Sequence, residues 1–184
     1  MQNIILSVKN LQITNTKTNE VLIDDVSLNL EKGKILGLIG QSGSGKTILA
    51  QSLINWVNPP LKITSGKINY NGFEILNLKK NEISKLVGRE ISFIGNNPVG
   101  SFDPTLPVGV QILEKLLAVK PEISKREAKE IILKTFESVK FPSTRKIFDE
   151  FPFQFSGGMM QRAIIVDSLI SNPKIMIADN ITQS

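Results

Sequence analysis

The segment that most constrains the fold is an octapeptide rich in glycine and hydroxyl side chains. It fits the pattern G-x-x-x-x-G-K-[ST] at every fixed position and reads Gly40-Gln41-Ser42-Gly43-Ser44-Gly45-Lys46-Thr47. The apolar run Ile35–Ile39 before it predicts a buried strand, and residues 47–56 after it predict a helix. A strand, a glycine-rich turn and a helix in this order are typical of a loop that holds a phosphate chain.

Each fixed position of this loop has a chemical use. Glycines allow consecutive backbone N–H groups to turn inward around an anion, where a side chain would collide. Lys46 can reach the β- and γ-phosphates of a nucleotide, and the Thr47 hydroxyl can bind Mg²⁺. The alternative is a glycine-rich turn without function, but with average residue frequencies such a match arises by chance in below about one percent of chains this long. We therefore predict that Gly40 to Thr47 bind nucleotide phosphates.

Composition excludes several other kinds of chemistry. The 184-residue chain has no cysteine and no histidine, so thiol catalysis, thiolate metal sites and imidazole bases are absent. Its net charge of +5 comes from scattered lysines, which favours a solvated helix face over a nucleic-acid surface. The first residues lack a basic segment, and no apolar run approaches the ~18 residues of a membrane span. We expect no nucleic-acid partner and a cytoplasmic location.

Several further segments carry clear local signals. Ser156, Gly157 and Gly158 stand at the start of an apolar helical stretch, where the serine can cap the helix and bare glycine backbone admits an anion. Other patterns predict strands at residues 4–8, 26–30, 91–94 and 174–179, a hairpin turn at Asn71-Gly72, and helices within 107–141 with a capping box at Ser124 and Glu127.

Together these motifs resemble the ATP-binding subunits of ABC transporters, in the branch of oligopeptide, dipeptide and nickel importers. The segments that carry the resemblance to this branch are Ile-Thr-Ser-Gly-Lys-Ile at 63–68, Gly-Arg-Glu-Ile-Ser at 88–92, Phe-Asp-Pro-Thr at 102–105 and Phe-Pro-Phe-Gln-Phe-Ser-Gly-Gly-Met at 151–159. The resemblance covers essentially the whole chain in the expected order.

The resemblance implies a fold class and a domain organisation. The expected fold is an α/β P-loop NTPase core of the ABC ATPase type, with an N-terminal antiparallel β subdomain and an inserted helical subdomain at about residues 107–171. Residues 1–184 would form one ABC-type nucleotide-binding domain. We expect it to be incomplete at its C-terminus, because the family continues well beyond the place of Asp179 and this sequence ends at Ser184.

The resemblance also implies roles for single residues, with ATP and Mg²⁺ as cofactors. Gly40 to Thr47 match the Walker A loop, and Ser156, Gly157 and Gly158 match the signature motif, which caps the γ-phosphate held by a partner subunit. Asp179 matches the Walker B aspartate, which supports Mg²⁺ through water, and Asn96 falls at the Q-loop position, a further metal contact. Implied partners are a second ATP-binding subunit, identical or different, and transmembrane permease subunits at the inner face of the membrane.

The sequence departs from the family pattern at four places. Asn96 replaces the Q-loop glutamine, which keeps the amide on a shorter side chain. Asn180 replaces the catalytic glutamate, and an amide can orient water but cannot take its proton. Losing a general base costs ~10²–10⁴-fold in rate. No histidine can contact the γ-phosphate, and no aromatic residue near Val21-Leu22 can stack on adenine.

Three functions follow as alternatives. The first is an importer subunit for peptides or nickel and other metal chelates, which binds ATP but whose own hydrolysis is impaired. The second is a truncated remnant or regulatory nucleotide-binding module that does not hydrolyse ATP. The third, a non-transport ABC ATPase such as a DNA-repair type, is disfavoured because those proteins carry long coiled-coil or zinc-bearing insertions and this chain has neither.

Overall fold

The computed structural model describes residues 3–95 and 99–180, which belong to two compact units. The first unit ends at Ser84 and the second begins at Lys85. A short helix, α2 in chain order (Lys80–Leu86), spans this boundary and buries none of its side chains. Each unit is described by itself below.

An antiparallel sheet dominates the first unit. Its strands stand in the order β2-β1-β3-β4, with bounds of Ile4–Asn15 for β1, Val21–Glu31 for β2, Leu61–Tyr70 for β3 and Phe73–Glu74 for β4. The strands predicted at residues 4–8 and 26–30 are confirmed as parts of longer strands. Alternate side chains of β1 and β3 turn inward because successive residues of a strand face opposite sides. The alternation shifts between Val8 and Leu11, where the pairing with β2 is irregular. The buried side chains of the two strands are Ile5, Leu6, Val8, Leu11, Ile13, Ile68 and Tyr70.

The predicted hairpin turn joins β3 and β4. Tyr70 pairs with Phe73 across it. Asn71 and Gly72 both have positive φ angles, 48° and 91°. Two positive φ values define the turn whose twist matches that of the flanking strands, and asparagine followed by glycine is the pair that adopts it most readily. The prediction is confirmed.

The strand predicted at Ile35–Ile39 is wrong. Residues 34–41 belong to no strand, and the side chains of Ile35 and Ile39 are 100% exposed. An apolar run becomes a buried strand only where neighbouring strands accept its backbone hydrogen bonds and other side chains cover it. The four-stranded sheet of this unit completes its pairing without this run.

The helix predicted after the glycine-rich loop is present but shorter than expected. Helix α1 covers Lys46–Ser52, whereas the pattern predicted residues 47–56. Asn55 takes a left-handed φ of 53°, and the Trp56 N–H donates back to the Gln51 carbonyl at 3.0 Å. This arrangement closes a helix because the N–H groups beyond its end satisfy its last carbonyls.

The second unit contains a pair of parallel strands, β5 (Ile91–Ile94) and β6 (Ile175–Ala178). Ile91 pairs with Ile175 and Ile94 pairs with Ala178, so both strands end at the same edge. Both strands were predicted from short apolar runs and both are confirmed. Residues that follow the two strands therefore meet at one edge of this pair.

Three longer helices form the core of the second unit. They are α3 (Val108–Val119), α4 (Lys125–Ser138) and α5 (Gly157–Leu169). The helical prediction for residues 107–141 is confirmed, and the Ser124 hydroxyl caps α4 by accepting from the Glu127 N–H at 3.1 Å. Their shared buried side chains include Val108, Ile112, Leu116, Ala128, Ile132, Phe136, Met160, Ala163 and Ile164. That residues 107–171 act as a separate subdomain stays a prediction.

The helices of the described residues are short relative to a lipid bilayer. Within residues 3–95 and 99–180, none has both the length and the apolar character needed to cross a membrane.

Candidate nucleotide-binding site

Lys46 lies at the centre of the glycine-rich loop in the first unit. Its ammonium donates to the carbonyl oxygens of Gly40 at 2.8 Å and Gln41 at 2.6 Å, and to the Ser44 hydroxyl at 3.3 Å. The loop therefore curls around its own lysine. Three acceptors fix the position of this cation although no residue of opposite charge pairs with it among the described residues.

The backbone of the loop needs its glycines. Gly45 has a φ of 87° and stands immediately before α1, whose first backbone bond runs from the Leu49 N–H to the Gly45 carbonyl at 2.8 Å. A side chain on Gly45 would also meet the Ile23 side chain of β2, since an added Cβ would lie 2.7 Å from Ile23 Cδ1. Thr47 follows in the first turn of α1 and is half-buried.

The loop is open to an anionic ligand. Residues 41–44 are exposed to solvent, so a phosphate chain could reach the loop without displacing packed side chains. A fixed ammonium and a backbone that turns through positive φ angles are the features with which proteins hold phosphates. This geometry supports the phosphate-binding role predicted for residues 40–47.

A buried carboxylate marks the edge of the parallel strands in the second unit. Asp179 follows β6 directly, and its N–H donates to the Ile94 carbonyl of β5 at 2.9 Å. The residue is only 8% exposed, and within the described residues its Oδ2 atom has no hydrogen-bond partner. An unpartnered buried acceptor is costly, so it marks a place where a donor or cation belongs. The side chain therefore fits the role of supporting Mg²⁺.

The remaining metal-site predictions can be located only in part. Gly95 follows β5 at the same edge as Asp179, but Asn96, one residue further, lies outside the described residues. Within residues 3–95 and 99–180, no three acidic residues cluster in a way that could cage a metal ion.

Asn180 occupies the position predicted for a degenerate catalytic residue. Its side chain is exposed and its φ is 55°, in the left-handed region. Asparagine tolerates this region better than most residues because its short amide bonds locally. The backbone at this position thus suits the asparagine that the sequence carries.

Ser156 begins helix α5 as its N-cap. The Ser156 hydroxyl accepts from the Met159 N–H at 3.3 Å, and its carbonyl accepts from the Met160 N–H at 2.9 Å. Gly157 and Gly158 are exposed, and a Cβ added to either would meet no atom within 4 Å. At the N-terminus of α5, no side chain of these two residues blocks access to the backbone N–H groups. This is the arrangement that an anion-binding helix start needs.

One contact between helix α3 and the loop before it was missed by sequence reasoning. The side chain of Gln111 on α3 accepts from the Asp103 N–H at 2.8 Å and donates to the Asp103 and Leu106 carbonyls, each at 2.9 Å. These three hydrogen bonds attach the loop at residues 103–106 to helix α3. No sequence signal identifies such a residue, because bonds between a side chain and a distant backbone follow no fixed spacing.

The pKa of the Asp103 carboxyl depends on Thr105, two residues further along the chain. Thr105 donates to Asp103 Oδ1 from its hydroxyl at 2.6 Å and from its N–H at 2.8 Å. These two bonds stabilise the ionised form, the hydroxyl bond more than the backbone bond, and lower the pKa of this carboxyl below its usual range.

Comparison with known proteins agrees with these motifs. A family model described as ABC transporter matches residues 23–183. The dipeptide transport ATP-binding protein DppD of Lactococcus lactis is 38% identical over 97% of this chain and 52% of its own length. The Escherichia coli oligopeptide transport ATP-binding protein OppD is 39% identical, over 97% of this chain and 53% of its own length. The chain thus spans about half the length of these curated relatives.

A further relative and two solved structures extend the comparison. The metal-staphylopine import system ATP-binding protein CntD of Staphylococcus aureus is 35% identical, over 97% of this chain and 65% of its own length. The dimeric bacterial ABC transporter cassette MJ0796 superposes with a TM-score of 0.84 at 24% identity, over 96% of this chain and 74% of its own length. Its ADP- and Pi-bound form superposes with a TM-score of 0.83 over the same shares, also at 24% identity.

These superpositions confirm the predicted fold class, that of an ABC ATPase with an antiparallel β subdomain and a set of helices. The resemblance inferred from the glycine-rich loop, the serine-glycine helix start and the strand before Asp179 is confirmed by the matched sequences. The chain belongs to the ABC transporter family, within the group of its ATP-binding proteins.

Proposed function

We propose that this chain is an ATP-binding subunit of an importer for peptides or metal chelates. The observation that carries the proposal is the loop at residues 40–47, in which Lys46 is held by the Gly40 and Gln41 carbonyls and residues 41–44 are exposed to solvent. The kind of cargo rests on the relatives, whose names specify dipeptide, oligopeptide and metal-staphylopine transport. The proposed location is the inner face of the membrane, through permease subunits.

The proposed roles follow from the chemistry of each side chain. The loop backbone and the Lys46 ammonium bind the β- and γ-phosphates of ATP, since charge-assisted bonds to phosphate are the strongest in this site. The proposed role of the Thr47 hydroxyl is to bind Mg²⁺. The buried Asp179 carboxylate would support Mg²⁺ through water, and Asn96 would be a further contact. Mg²⁺ held there would neutralise charge on the phosphates. Ser156, Gly157 and Gly158 would cap the γ-phosphate of ATP bound to a second ATP-binding subunit, of the same or a different sequence.

Hydrolysis by this chain is proposed to be impaired. The Asn180 amide can orient a water molecule by hydrogen bonds, but it has neither the charge nor the basicity to take a proton. ATP would then act mainly to hold two subunits together, and a competent partner would supply the hydrolysis. The same residue favours the second candidate function, a nucleotide-binding module that regulates without hydrolysing.

A binding measurement on the full chain tests the proposal. Calorimetric titration with Mg-ATP should show saturable binding, and Lys46→Ala should weaken it by ~10–100-fold, because a hydrogen bond to a charged group contributes about 1.5–3 kcal/mol. Lys34→Ala serves as the matched control, since Lys34 lies in the exposed turn that follows β2. Equal affinity for Mg-ATP in Lys46→Ala and wild type would contradict the assignment of the loop.

A second measurement separates the two candidate functions. An importer subunit should co-purify from its native cells with a membrane-spanning protein, and this association should survive Lys34→Ala. A regulatory module should bind Mg-ATP with the same dependence on Lys46 and yet bring no membrane protein with it.

A further inference from the structure

Helix α5 connects two segments of the proposed site and buries apolar side chains in several directions around its axis. It begins next to Ser156 and leads through a short turn into β6 and Asp179. Ala163, Ile164 and Val166 are all buried although they point in different directions around the helix axis. Hydrophobic contact is not directional. Apolar packing therefore supplies no directional bond that fixes the rotation and the axial position of this helix.

A lysine on α3 holds the C-terminal end of α5. The Lys115 ammonium donates to the Asp167 carbonyl at 2.7 Å and to Asp167 Oδ2 at 2.6 Å. Asp167 lies in the last turn of α5, where carbonyls have no intrahelical N–H to accept and where a cation is favourable. The two side chains are 28% and 30% exposed, so solvent screens this pair less than it screens a surface pair.

An arginine on α5 makes a second directional contact, with the end of α4. The Arg162 guanidinium donates to the Lys140 carbonyl at 3.1 Å, just beyond the last turn of α4. In the same way Arg89 donates to the Ala118 carbonyl at 2.9 Å, in the last turn of α3. At the C-terminal end of each of the three core helices, a backbone carbonyl thus accepts a hydrogen bond from a cationic side chain of another segment of the unit. Two of these contacts, Lys115 to Asp167 and Arg162 to Lys140, involve α5, and we call them the α5 clamps.

We propose that Lys115 and Arg162 are positioning residues that fix the rotation and axial position of α5. The clamps bind this helix at its end and near its middle, to two different neighbours. A rotation or a slide of α5 would lengthen both sets of hydrogen bonds, whereas its apolar contacts include no directional bond that fixes either movement. The inference rests on the proposed function in one respect: the segment so positioned, Ser156 to Gly158, is the one assigned to a partner's γ-phosphate.

The absence of cysteine from the sequence allows a direct test in the full chain. Spin labels are attached at Gly157→Cys, at the start of α5, and at Lys134→Cys, on an exposed position of α4. Double electron–electron resonance then gives the distribution of distances between the labels. Lys115→Met and Arg162→Met should each broaden or shift this distribution, and the double variant should do so more than either.

Matched variants separate the clamps from general loss of charge or packing. Arg126→Met removes a guanidinium from α4 that is 91% exposed, and it should leave the label distances unchanged. Lys115→Arg keeps a donor for both Asp167 oxygens and should restore the parent distribution. If Lys115→Met does not fold, Asp167→Ala still tests the clamp, because it removes the side-chain acceptor and leaves Lys115 in place. A parent-like distribution in the foldable clamp variants would overturn the inference.

Titration with Mg-ATP, without labels, keeps this inference distinct from the proposed function. Lys115→Met and Arg162→Met should bind Mg-ATP like wild type, because residues 40–47 are unaltered. Broadened label distances together with no Mg-ATP binding by wild type would refute the proposed function and leave the clamps intact. Loss of Mg-ATP binding in both clamp variants would instead show general misfolding and refute the positioning role.

Discussion

Gly45 of the phosphate loop lies directly against the end of the Ile23 side chain of strand β2. An added Cβ would stand 2.7 Å from Ile23 Cδ1 and 3.4 Å from the Leu22 carbonyl oxygen. The glycine also has a φ of 87°. The loop and the antiparallel sheet are therefore fitted to each other at this point, inside the first unit.

The first prediction concerns this contact. Gly45→Ala should lower the free energy of unfolding by ~1–3 kcal/mol, since the left-handed backbone costs about 1–2 kcal/mol for alanine and the Ile23 Cδ1 atom must move aside at a further cost of up to about 1 kcal/mol. Mg-ATP affinity should fall as well, because the loop must shift. Chemical denaturation and calorimetric titration measure the two effects.

Two further variants divide the cost of Gly45→Ala into its parts. Gly43→Ala has the same kind of backbone strain, with a φ of 79°, but its Cβ would meet no atom within 4 Å. It should therefore cost less than Gly45→Ala. Adding Ile23→Ala to Gly45→Ala should recover part of the contact cost. Equal destabilisation by the two glycine variants would refute the close contact as a cause.

The second prediction concerns Asn180. Wild type should show negligible ATP turnover, and Asn180→Glu should raise it, by up to ~10²–10⁴-fold if general-base assistance is fully restored. The gain should be absent in Asn180→Ala and abolished by adding Lys46→Ala. Because glutamate tolerates a φ of 55° less well than asparagine, circular dichroism should confirm that the variant is folded. Wild-type turnover equal to that of Asn180→Glu would contradict the role assigned to this position.

The sequence predicted those elements that depend on local chemistry. The turn at Asn71-Gly72 forms because both residues accept positive φ, and Ser124 caps α4 because its hydroxyl reaches the Glu127 N–H three residues on. Strands β5 and β6 follow from short apolar runs, and the loop around Lys46 follows from its spacing. In each case the signal and the structure that it specifies lie within a few residues.

The sequence did not predict features that depend on distant partners. The run Ile35–Ile39 has the composition of a buried strand, but composition does not show which strands would pair with it. The bonds of Lys115 and Arg162 to helix ends join residues 52 and 22 positions apart. Such contacts follow from how the helices pack, and no periodicity in the sequence encodes them.

The third prediction concerns the end of α4. Lys140 follows this helix with a φ of 55°, the Phe141 N–H donates to the Phe136 carbonyl at 3.1 Å, and the two rings pack edge to face. Glycine is favoured at this place because it has no Cβ to strain the backbone. Lys140→Gly should raise the free energy of unfolding by up to ~1 kcal/mol, the relief of left-handed strain less the added freedom of the unfolded chain.

A glycine elsewhere in α4 provides the control for Lys140→Gly. Lys134 lies in the interior of the helix, and Lys134→Gly should lower the free energy of unfolding by about 0.5–1 kcal/mol. The midpoints of thermal and chemical denaturation should thus shift in opposite directions for the two variants, upward for Lys140→Gly and downward for Lys134→Gly. Destabilisation by both would refute the strain at Lys140.

The fourth prediction concerns the acid titration of Asp103. Because its pKa is lowered in the folded chain, this carboxylate stabilises the fold at pH values above the pKa that it has when unfolded. That contribution is lost as the pH falls through the lower, folded pKa.

Thr105→Ala removes the hydroxyl donor at 2.6 Å and keeps the N–H donor at 2.8 Å, so the pKa of the Asp103 carboxyl should rise part of the way to its usual range. Carbon-detected NMR titration of the Asp103 carboxyl measures the change, and Thr18→Ala, on the exposed turn between β1 and β2, should leave it unaltered. An unchanged pKa in Thr105→Ala would show that the hydroxyl bond is not the main cause of the shift.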